Sequence, residues 1–471
     1  MARIQLLTLF KPLKNYQIAP PLGMMYLASA LRKSGHEVRV LDLRAKRKRV
    51  DEFLGAISDF SPDMIGFSCM VIDHRELLHA SSALKKAVPK AIQVVGGPIA
   101  ASTPYAALEA PDVDFAVAGE GESVAIALAD AIDQKNPLES VAGLLVRPSP
   151  SDGPAAAVRS TGPVTLIQDL DALPFPAWDL VDLKDYHLAP HHGYIYRYPE
   201  YMTLITSRGC PYACTFCHKI MGKKFRKRSP ENVVEEIRTL KEHHGIREIT
   251  ISDDAFNLDA ARAERICDLI LDRNMGLAFT FPSGVRGDIM TSSLLSKLKK
   301  MGTYKIAYGI ETGAPRIQEV VKKYVDLGKL KEVIADTSRL GMLVHGFFLF
   351  GFPTETQEDL ETTIRYACSS RLDLASFNIV NAFPGTELAK FAQEKGLQVD
   401  FSLDDYDYDS PQFQLSEVSL DELKTIIRKA HSRFYLSPRR LLRIFWLLPR
   451  KRQILGLARY FVSKIYLWIK E

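Results

Sequence analysis

The sequence predicts an α/β protein with two successive parallel-sheet domains, a connecting region between them and a helical tail. Short apolar runs alternate with helical stretches from residue 1 to about 135, and the same alternation returns from 202 to about 390. That alternation is typical of parallel strands joined by crossover helices. A segment rich in Pro, Gly and Ala separates the two regions, and 471 residues are enough for two or three domains.

Composition and charge fit a soluble multidomain protein. Hydrophobic residues make up 46% and charged residues 25% of the chain, which is ordinary globular usage. The net charge of +5 is too small to predict nucleic-acid binding. The start, "MARIQLLTLFKPLK", has no apolar run followed by a small-residue cleavage site, so we expect a cytoplasmic protein. In a reducing compartment, clustered cysteines indicate metal binding or catalysis rather than disulfides.

The first domain is predicted over residues 1–137 as a doubly wound parallel sheet. "RIQLLTL" and "EVRVLDL" are predicted strands, and the helix "LGMMYLASALRKSG" between them ends at Gly35. "MIGFSC", "IQVVGG" and "FAVAGEG" continue the strands. Such sheets bind ligands beyond the carboxyl ends of their strands, although glycines there also serve tight turns. That edge carries Ser68, Cys69, Gly96, Gly97, Pro98 and "GEGE" at 119–122.

Residues 138–195 are predicted to be a linker, with "RPSPSDGPAAA" followed by "LPFPAWDLVDLKDYH". A group of imidazole and aromatic side chains stands around its end: His187, His191, His192, Tyr194 and Tyr196. A loop cluster of this kind favours solvated surface or packing between domains. A wall of a substrate cavity is the alternative.

The second domain is predicted over residues 196–395 as six strand–helix units that form a partial barrel. Its strands are "YMTLITS", "EITISDD", "LAFTFPSG", "YKIAYGIET", "LVHGFFLFGF" and "LASFNIVNAF". In barrels of this type the catalytic residues lie at the carboxyl ends of the strands. We therefore expect the functional side chains in the loops that follow these six segments.

Three cysteines follow the first of these strands in "SRGCPYACTFCHK". Cys210, Cys214 and Cys217 are spaced C-x-x-x-C-x-x-C, and no second cysteine pair accompanies them. Structural zinc requires four ligands, and His218 directly follows Cys217, which makes a tetrahedral site awkward. Three thiolates suit a [4Fe–4S] cluster that leaves one iron open. Zinc remains the alternative.

With Phe216 before the last cysteine, this motif resembles the signature of the radical S-adenosylmethionine enzymes. The resemblance implies that the open iron binds S-adenosylmethionine and that its reductive cleavage yields a 5′-deoxyadenosyl radical. It also implies S-adenosylmethionine contacts at the strand ends. Asp253 and Asp254 would bind the ammonium, with a divalent cation or a helix cap as alternatives. The other implied contacts are Phe216, Arg286 at the carboxylate, Glu311 at the ribose or amine, and Gly351 at the adenine.

The first domain resembles, in its glycine loops and in "APPLGMMYLASALRKSGHEVRVLD", the Rossmann-like cobalamin-binding domain of one large radical S-adenosylmethionine subfamily. The D-x-H-x-x-G motif that supplies a cobalt-binding histidine is absent, because Asp73 and His74 are adjacent. We therefore expect cobalamin bound without a histidine ligand, and a vestigial scaffold is the alternative. The implied cobalamin contacts are Pro21, Leu22, Gly23, Ser68, Gly96, Gly97, Pro98, Gly119 and Glu120.

Both resemblances together imply a cobalamin-dependent radical methyltransferase that acts on an unactivated carbon of a small molecule. Cyclisation or rearrangement in tetrapyrrole or lipid biosynthesis is the alternative. A tRNA methylthiotransferase is disfavoured because only Cys69 precedes the cluster motif and the tail is predicted to be helical. A cobalamin or redox sensor would lack the strand-end motifs. A one-electron reductant such as flavodoxin or ferredoxin is the expected partner, and no nucleic acid is expected.

Residues 396–471 are predicted to form a helical, basic and aromatic extension. From residue 437 onward the tail has nine Lys or Arg against one Glu, with apolar residues at helical spacing. No run approaches the roughly 20 apolar residues that span a bilayer, and Pro449 should divide the segment. Packing on the barrel is one interpretation. The other is an interfacial anchor on the inner face of an anionic membrane through Trp446, Tyr460, Phe461 and Trp468. That anchor favours a lipid, isoprenoid or pigment as substrate.

Overall fold

A computed structural model describes residues 1–11, 18–148, 158–187, 195–397, 414–451, 453, 454 and 456. Within them the chain forms two large parallel sheets and a helical C-terminal segment. This arrangement confirms the predicted α/β class. Several residues that the sequence singled out lie outside the described residues: His191, His192, Tyr194, Tyr460, Phe461 and Trp468.

The first domain contains a seven-stranded sheet. Its strands are β1 Arg3–Thr8, β2 Glu37–Asp42, β3 Met64–Ser68, β4 Ile92–Gly96, β5 Phe115–Ala116, β6 Leu145–Val146 and β7 Arg159–Ser160. Their spatial order is β2-β1-β3-β4-β5-β6-β7, with β1 to β5 parallel. The helices are α1 Leu22–Lys33, α2 Leu43–Lys46, α3 Leu54–Phe60, α4 His74–Ala87, α5 Pro98–Ser102, α6 Pro104–Ala107 and α7 Glu122–Gln134. Ligands of sheets with this order bind at the carboxyl ends of the strands.

Part of the predicted linker belongs to the first domain. Strands β6 and β7 fall within residues 138–195 and extend the first sheet in antiparallel pairing. Two-residue strands have no periodicity that a sequence can reveal, so the prediction ended this domain too early. Farther along, helix α8 (Lys184–His187) places the buried Tyr186 against the first domain, where its hydroxyl donates to Asp42 Oδ2 at 2.8 Å.

The second domain contains six parallel strands, and this confirms the partial barrel. They are β8 Tyr201–Leu204, β11 Glu248–Ile251, β12 Ala278–Val285, β13 Thr303–Glu311, β14 Leu343–Phe350 and β15 Leu374–Ile379. The short strands β9 Ser207–Arg208 and β10 Arg226–Lys227 form a separate antiparallel pair. The helices are α9 Pro230–His244, α10 Ala260–Asp272, α11 Ser292–Lys300, α12 Pro315–Val320, α13 Leu327–Arg339, α14 Gln357–Ser369 and α15 Glu387–Glu394.

Side chains of β14 show how this sheet separates its two faces. Val344, Phe348 and Phe350 are fully buried in the core that the sheet shares with its helices. His345 and Phe347 point to the opposite face, where they are half-buried and their ring centres are 4.6 Å apart. Alternate residues of a strand face opposite sides, so this second face is the inside of the barrel, which we call the lumen.

Two helices, α16 Leu420–Tyr435 and α17 Pro438–Leu447, follow the barrel. Ile444 and Leu448 are buried in one cluster with Ala278, Tyr304 and Leu343, which stand at the starts of three barrel strands. Helix α17 therefore closes the amino end of the barrel, and it ends two residues before Pro449, in keeping with the predicted division. Among the described residues, no helix has both the length and the apolar character needed to cross a membrane.

Candidate active site

The three cysteines lie in the loop that connects β9 to β10, beyond the carboxyl end of β8. Gly209 begins this loop with φ +84°, and a Cβ there would overlap the carbonyl oxygen of Lys224 on the returning strand. A side chain would be excluded both by that backbone conformation and by that contact. The glycine before Cys210 therefore allows the two ends of the loop to approach closely.

The thiols of the loop interact with each other. The hydrogen bond between Cys214 and Cys217 lowers the pKa of Cys214 to about 7 and raises that of Cys217. Burial raises the pKa of Cys210. Lys323 acts on all three thiols and favours their charged forms. A thiolate is the form that binds iron, so the loop favours the form of Cys214 that can serve as an iron ligand.

This donor set fits an iron–sulfur cluster. Among the residues that the structure describes, no three His, Cys, Asp or Glu side chains are grouped around a position for one metal ion. Cluster cysteines bind through separate irons and need not converge on one point. His218, the fourth ligand that zinc would need, instead lies against Phe383, with the ring centres 5.3 Å apart.

A buried ion pair stands beside the thiols. Glu311 ends β13 with φ +65°, and its carboxylate accepts a hydrogen bond from Lys323 Nζ at 2.7 Å. Burial disfavours the ammonium, but the Glu311 carboxylate and the thiols of Cys214 and Cys217 together outweigh it, so the pKa of Lys323 is raised. The sequence analysis missed Lys323, because "VVKKYV" does not separate it from the exposed Lys322.

The two aspartates after β11 have different roles. Asp253 is buried, and its carboxylate accepts hydrogen bonds from the Thr206 backbone N–H at 2.6 Å and from the Ser207 hydroxyl at 2.6 Å. Its carboxylate thus joins β11 to the segment after β8, and its predicted contact with an ammonium stays a prediction. Asp254 is exposed and acts on Cys210, so its ammonium contact stays a prediction.

Arg286 supports the cysteine loop. Its guanidinium lies 3.9 Å from the ring centre of Tyr212, between Cys210 and Cys214 in sequence. It also pairs with Asp288 at 2.9 Å and donates to the carbonyl of Tyr324 at 2.9 Å. These contacts engage most of its donors within the protein. The predicted contact with a carboxylate of S-adenosylmethionine stays a prediction.

Gly351 and Phe216 lie on the same side of the site. Gly351 has φ +90°, and a Cβ there would lie 2.9 Å from Leu423 Cδ1 of α16. The packing of α16 therefore accounts for this glycine, and its predicted approach to adenine is untested. Phe216 packs against Phe352, with the ring centres 5.5 Å apart, which anchors the cysteine loop to the end of β14.

The predicted cobalamin contacts lie at the ligand edge of the first domain. Pro21 and Leu22 are buried at the start of α1, whereas Gly23 is exposed with open space around a Cβ position. Small residues also occupy the ends of β3, β4 and β5. They are Ser68, Gly96, Gly97, Pro98 and Gly119.

Close packing and local pairing account for three residues at that edge. Gly97 has φ +88°, and a Cβ there would lie 2.8 Å from the Cys69 carbonyl oxygen, so close packing of two strand ends already requires a glycine. Buried His74 pairs with Glu109 at 2.9 Å, and Asp73 accepts from the Met70 N–H. Both side chains are therefore engaged within the domain.

Glu120 pairs with the second domain, and its contact with cobalamin stays a prediction. Its carboxylate is buried and lies 3.2 Å from Arg208 Nη1 and 2.8 Å from Arg226 Nη1, both on the second domain. It also accepts from the Ile167 N–H at 2.8 Å. The side chain assigned to cobalamin therefore binds the ends of the cysteine loop. No sequence pattern predicts this pairing, because acidic residues in glycine loops usually face solvent.

Known families match both domains. Residues 13–129 match the B12 binding domain, and residues 204–367 match the radical SAM superfamily. The first matched segment contains β2 to β5 with the glycine edge, and the second contains the cysteine loop and β9 to β14.

Relatives extend over most of the chain. An uncharacterized methyltransferase of Pyrococcus horikoshii is 30% identical over 427 residues, which cover 90% of this chain and 89% of the relative. Cytidylyl-2-hydroxyethylphosphonate methyltransferase of Streptomyces wedmorensis is 28% identical over 80% of this chain and 78% of its own length. Hopanoid C-3 methylase of Methylococcus capsulatus is 25% identical over 78% of this chain and 67% of its own length.

One solved structure has the same fold over most of the chain. It is the radical S-adenosylmethionine methyltransferase TsrM from Kitasatospora setae, with cobalamin and a [4Fe–4S] cluster bound. The TM-score is 0.70 at 20% identity, and the match covers 85% of this chain and 76% of that chain.

Proposed function

Because the chain belongs to the family of cobalamin-dependent radical S-adenosylmethionine enzymes, we propose that it methylates an unactivated carbon of a small molecule. The observation that carries this proposal is a loop of three thiols beside a buried Lys323–Glu311 pair. The first domain's glycine edge lies next to that loop, since Glu120 of this edge contacts both of its ends.

Each side chain of the site has a task in this proposal. Cys210, Cys214 and Cys217 hold the cluster, and Lys323 and Asp254 offer one charge of each sign to the zwitterionic end of S-adenosylmethionine. When bound, the cluster and its cofactors supply one-electron cleavage of S-adenosylmethionine and carriage of the methyl group. The chain orients the cofactors and excludes water through the buried packing of Phe216 and Phe352.

We propose a lipophilic substrate. Phe347 and Leu349 of β14 are half-buried in the lumen and offer it apolar contacts, and hopanoid C-3 methylase is among the relatives. Deeper in the lumen, His345 and Ser376 form a hydrogen bond of 2.9 Å, and this polar pair could orient the substrate.

A membrane position is part of the same proposal. Helix α17 buries Ile444 but exposes an apolar face on its other side, with Leu442 60% and Trp446 74% accessible. Arg439 and Lys451 are exposed beside that face. Apolar and aromatic side chains next to cations suit the interface of an anionic bilayer, and each surface-near cation contributes about 1 kcal/mol of attraction.

The proposed reductant is a small acidic one-electron carrier such as flavodoxin or ferredoxin. Cys217 is exposed, and so are several cations on the same loop and strand: Lys219, Lys223, Lys224 and Lys227. A positive patch next to an electron acceptor speeds the encounter with a negative partner. Reduction by flavodoxin should therefore slow steeply with added salt, and a salt-independent rate would argue against this docking.

The test of the reaction uses anaerobically reconstituted protein, reductant and S-adenosylmethionine with a trideuterated methyl group. The substrate pool is an extract of a strain from which the gene has been deleted. The expected result is one new compound heavier by one trideuteromethyl group, identified by mass spectrometry, and none with the Cys214→Ala protein. Consumption of a compound without transfer of the label would indicate cyclisation or rearrangement instead.

The test of the membrane position compares three proteins by flotation with anionic vesicles at low and high salt. Leu442→Ser with Trp446→Ser should abolish binding, because it removes the exposed face and keeps Ile444 in place. Tyr105→Ser with Leu271→Ser, two exposed apolar residues outside the tail, should bind as the wild type does. Equal flotation of all three proteins would contradict the anchor.

A further inference from the structure

The ends of the cysteine loop are two arginines that face each other. Arg208 of β9 and Arg226 of β10 are directly opposite in an antiparallel pair. Like charges at opposite positions of two strands repel each other. Both side chains are also buried, with 7% of Arg208 and 3% of Arg226 accessible, so water does not screen the repulsion. The loop can close only if something else compensates these two charges.

The compensation comes from the first domain. Glu120 bridges the two arginines, at 3.2 Å from Arg208 Nη1 and 2.8 Å from Arg226 Nη1. Glu122 adds a second carboxylate, 2.7 Å from Arg208 Nη2. We call these four residues the interdomain clamp. The two carboxylates of the first domain balance the two guanidinium charges of the second, so each domain alone would have two uncompensated charges. Removing one partner of a buried ion pair is strongly destabilising.

The clamp reaches the ligand edge of the first domain. Glu120 follows Gly119, which has φ +122°, in the loop after β5. That loop ends at the same edge as Ser68 and Gly97, where the cofactor of the first domain is proposed to bind. A ligand that orders this edge therefore also orders the carboxylate that holds both ends of the cysteine loop.

We propose that Glu120 is a positioning residue that couples cobalamin binding in the first domain to the closure of the cysteine loop around its cluster. The proposal rests on the proposed function, since it assumes that both cofactors bind. Its consequence is reciprocal: cobalamin should protect the cluster, and an intact cluster should tighten the retention of cobalamin.

The experiment measures how fast a ferrous chelator removes iron from the cluster of the anaerobically reconstituted full chain in excess dithionite, with and without added hydroxocobalamin, which dithionite reduces to cob(II)alamin. In the wild type, hydroxocobalamin should slow iron release at least about fivefold, the lower end of ordinary coupling between sites. In Glu120→Gln, which keeps the shape but removes the charge, release should be equally fast in both states. Glu139→Gln is the control, because Glu139 forms an exposed ion pair with Arg159 of the same domain at 2.7 Å.

A second variant keeps the test decisive if Glu120→Gln does not fold. Arg226→Gln breaks the clamp from the loop side and leaves Arg208 with both carboxylates, and it should also lose the protection. A further readout is the electron spin resonance of the reduced cluster, resolved from the signal of cob(II)alamin. The cluster signal should change on addition of hydroxocobalamin in the wild type and in Glu139→Gln only.

Either of two results would overturn the coupling: no protection by hydroxocobalamin in a wild type that retains both cofactors, or full protection in Glu120→Gln and Arg226→Gln. Failure of the proposed function is a separate outcome, recognised beforehand by absorbance. A wild-type protein that retains neither cluster nor cobalamin would contradict that function directly.

Discussion

The two ends of the barrel are closed in opposite ways. At the carboxyl end, a separate domain is held by buried charges, with Glu120 between Arg208 and Arg226. At the amino end, α17 of the same polypeptide is held by apolar packing of Ile444 and Leu448 and by an ion pair between Arg443 and Asp373 at 2.7 Å. Apolar packing tolerates small displacements, whereas a buried ion pair depends on its partner being in place. A ligand of the first domain can therefore affect the closure of the carboxyl end of the barrel, where the proposed chemistry takes place.

The amino end also contains buried charged groups, but their hydrogen-bond partners lie at the same end of the barrel. Glu248 accepts hydrogen bonds from the Tyr304 hydroxyl at 2.6 Å and from the Arg197 N–H at 2.8 Å. Lys305 donates to the Ile195 carbonyl at 3.0 Å, and burial lowers its pKa to about 8. None of these groups needs the first domain, so this end should remain intact when the other is disturbed.

The largest effect should come from the cysteine loop itself. Cys214→Ala removes a cluster ligand, and S-adenosylmethionine cleavage should fall to background because no cluster remains to supply the electron. Iron analysis and 5′-deoxyadenosine formation measure this after anaerobic reconstitution. Cys368→Ala, at a half-buried cysteine on α14, is the control and should keep about four irons. Full cleavage in the Cys214→Ala protein would refute the assignment.

A smaller but still large loss is expected at the buried cation. Lys323→Gln removes the charge that faces the thiols and leaves Glu311 without its partner. The kcat/KM for S-adenosylmethionine should fall at least ~30-fold, equivalent to about 2 kcal/mol. Lys322→Gln, the exposed neighbour, should be unchanged, and steady-state kinetics compare the two variants. If both variants behave alike, Lys323 has no special role.

The amino end should lose stability but not chemistry. Ile444→Ala leaves a cavity under α17 and should cost about 2 to 5 kcal/mol of unfolding free energy. Leu442→Ala on the exposed face should cost less than about 0.5 kcal/mol. Urea unfolding measures both, and cluster content per folded molecule should match that of the wild type. Loss of the cluster in Ile444→Ala would show that the two ends are not independent.

The smallest effect concerns Glu355, next to the carboxyl end of β14. The pKa of Glu355 is raised to about 8, chiefly by burial and also by Asp359, although the N–H groups of Gly351 and Phe352 and the Arg316 guanidinium oppose this rise. The folded protein therefore keeps a proton that the unfolded chain loses, so stability falls as pH rises between about 5 and 8.

Glu355→Gln mimics the protonated form and should flatten that dependence, by at most about 1.4 kcal/mol per pH unit. Thermal melting at several pH values measures the difference between variant and wild type. An unchanged slope in the variant would mean that Glu355 is ionised in the fold.

Features that depend on neighbouring residues could be predicted from the sequence, whereas contacts between residues far apart in the chain could not. The strands, the cysteine loop and the ligand edge follow from periodicity and from motif spacing within a few residues. Glu120 and Arg226 are 106 residues apart, and no local pattern distinguishes a glutamate that crosses a domain boundary from one that faces solvent. Lys323 was missed for a similar reason, since only the turn after α12 directs it towards the thiols.

The interdomain clamp also sets an order for biosynthesis. The ribosome makes Glu120 and Glu122 before Arg208, which follows Glu122 by 86 residues. Domains generally fold in the order of their synthesis, so the nascent first domain presents two carboxylates whose partners do not yet exist. These carboxylates stay hydrated until the loop arginines arrive. Docking of the second domain, and with it the cysteine loop, therefore comes late in the maturation of the nascent chain.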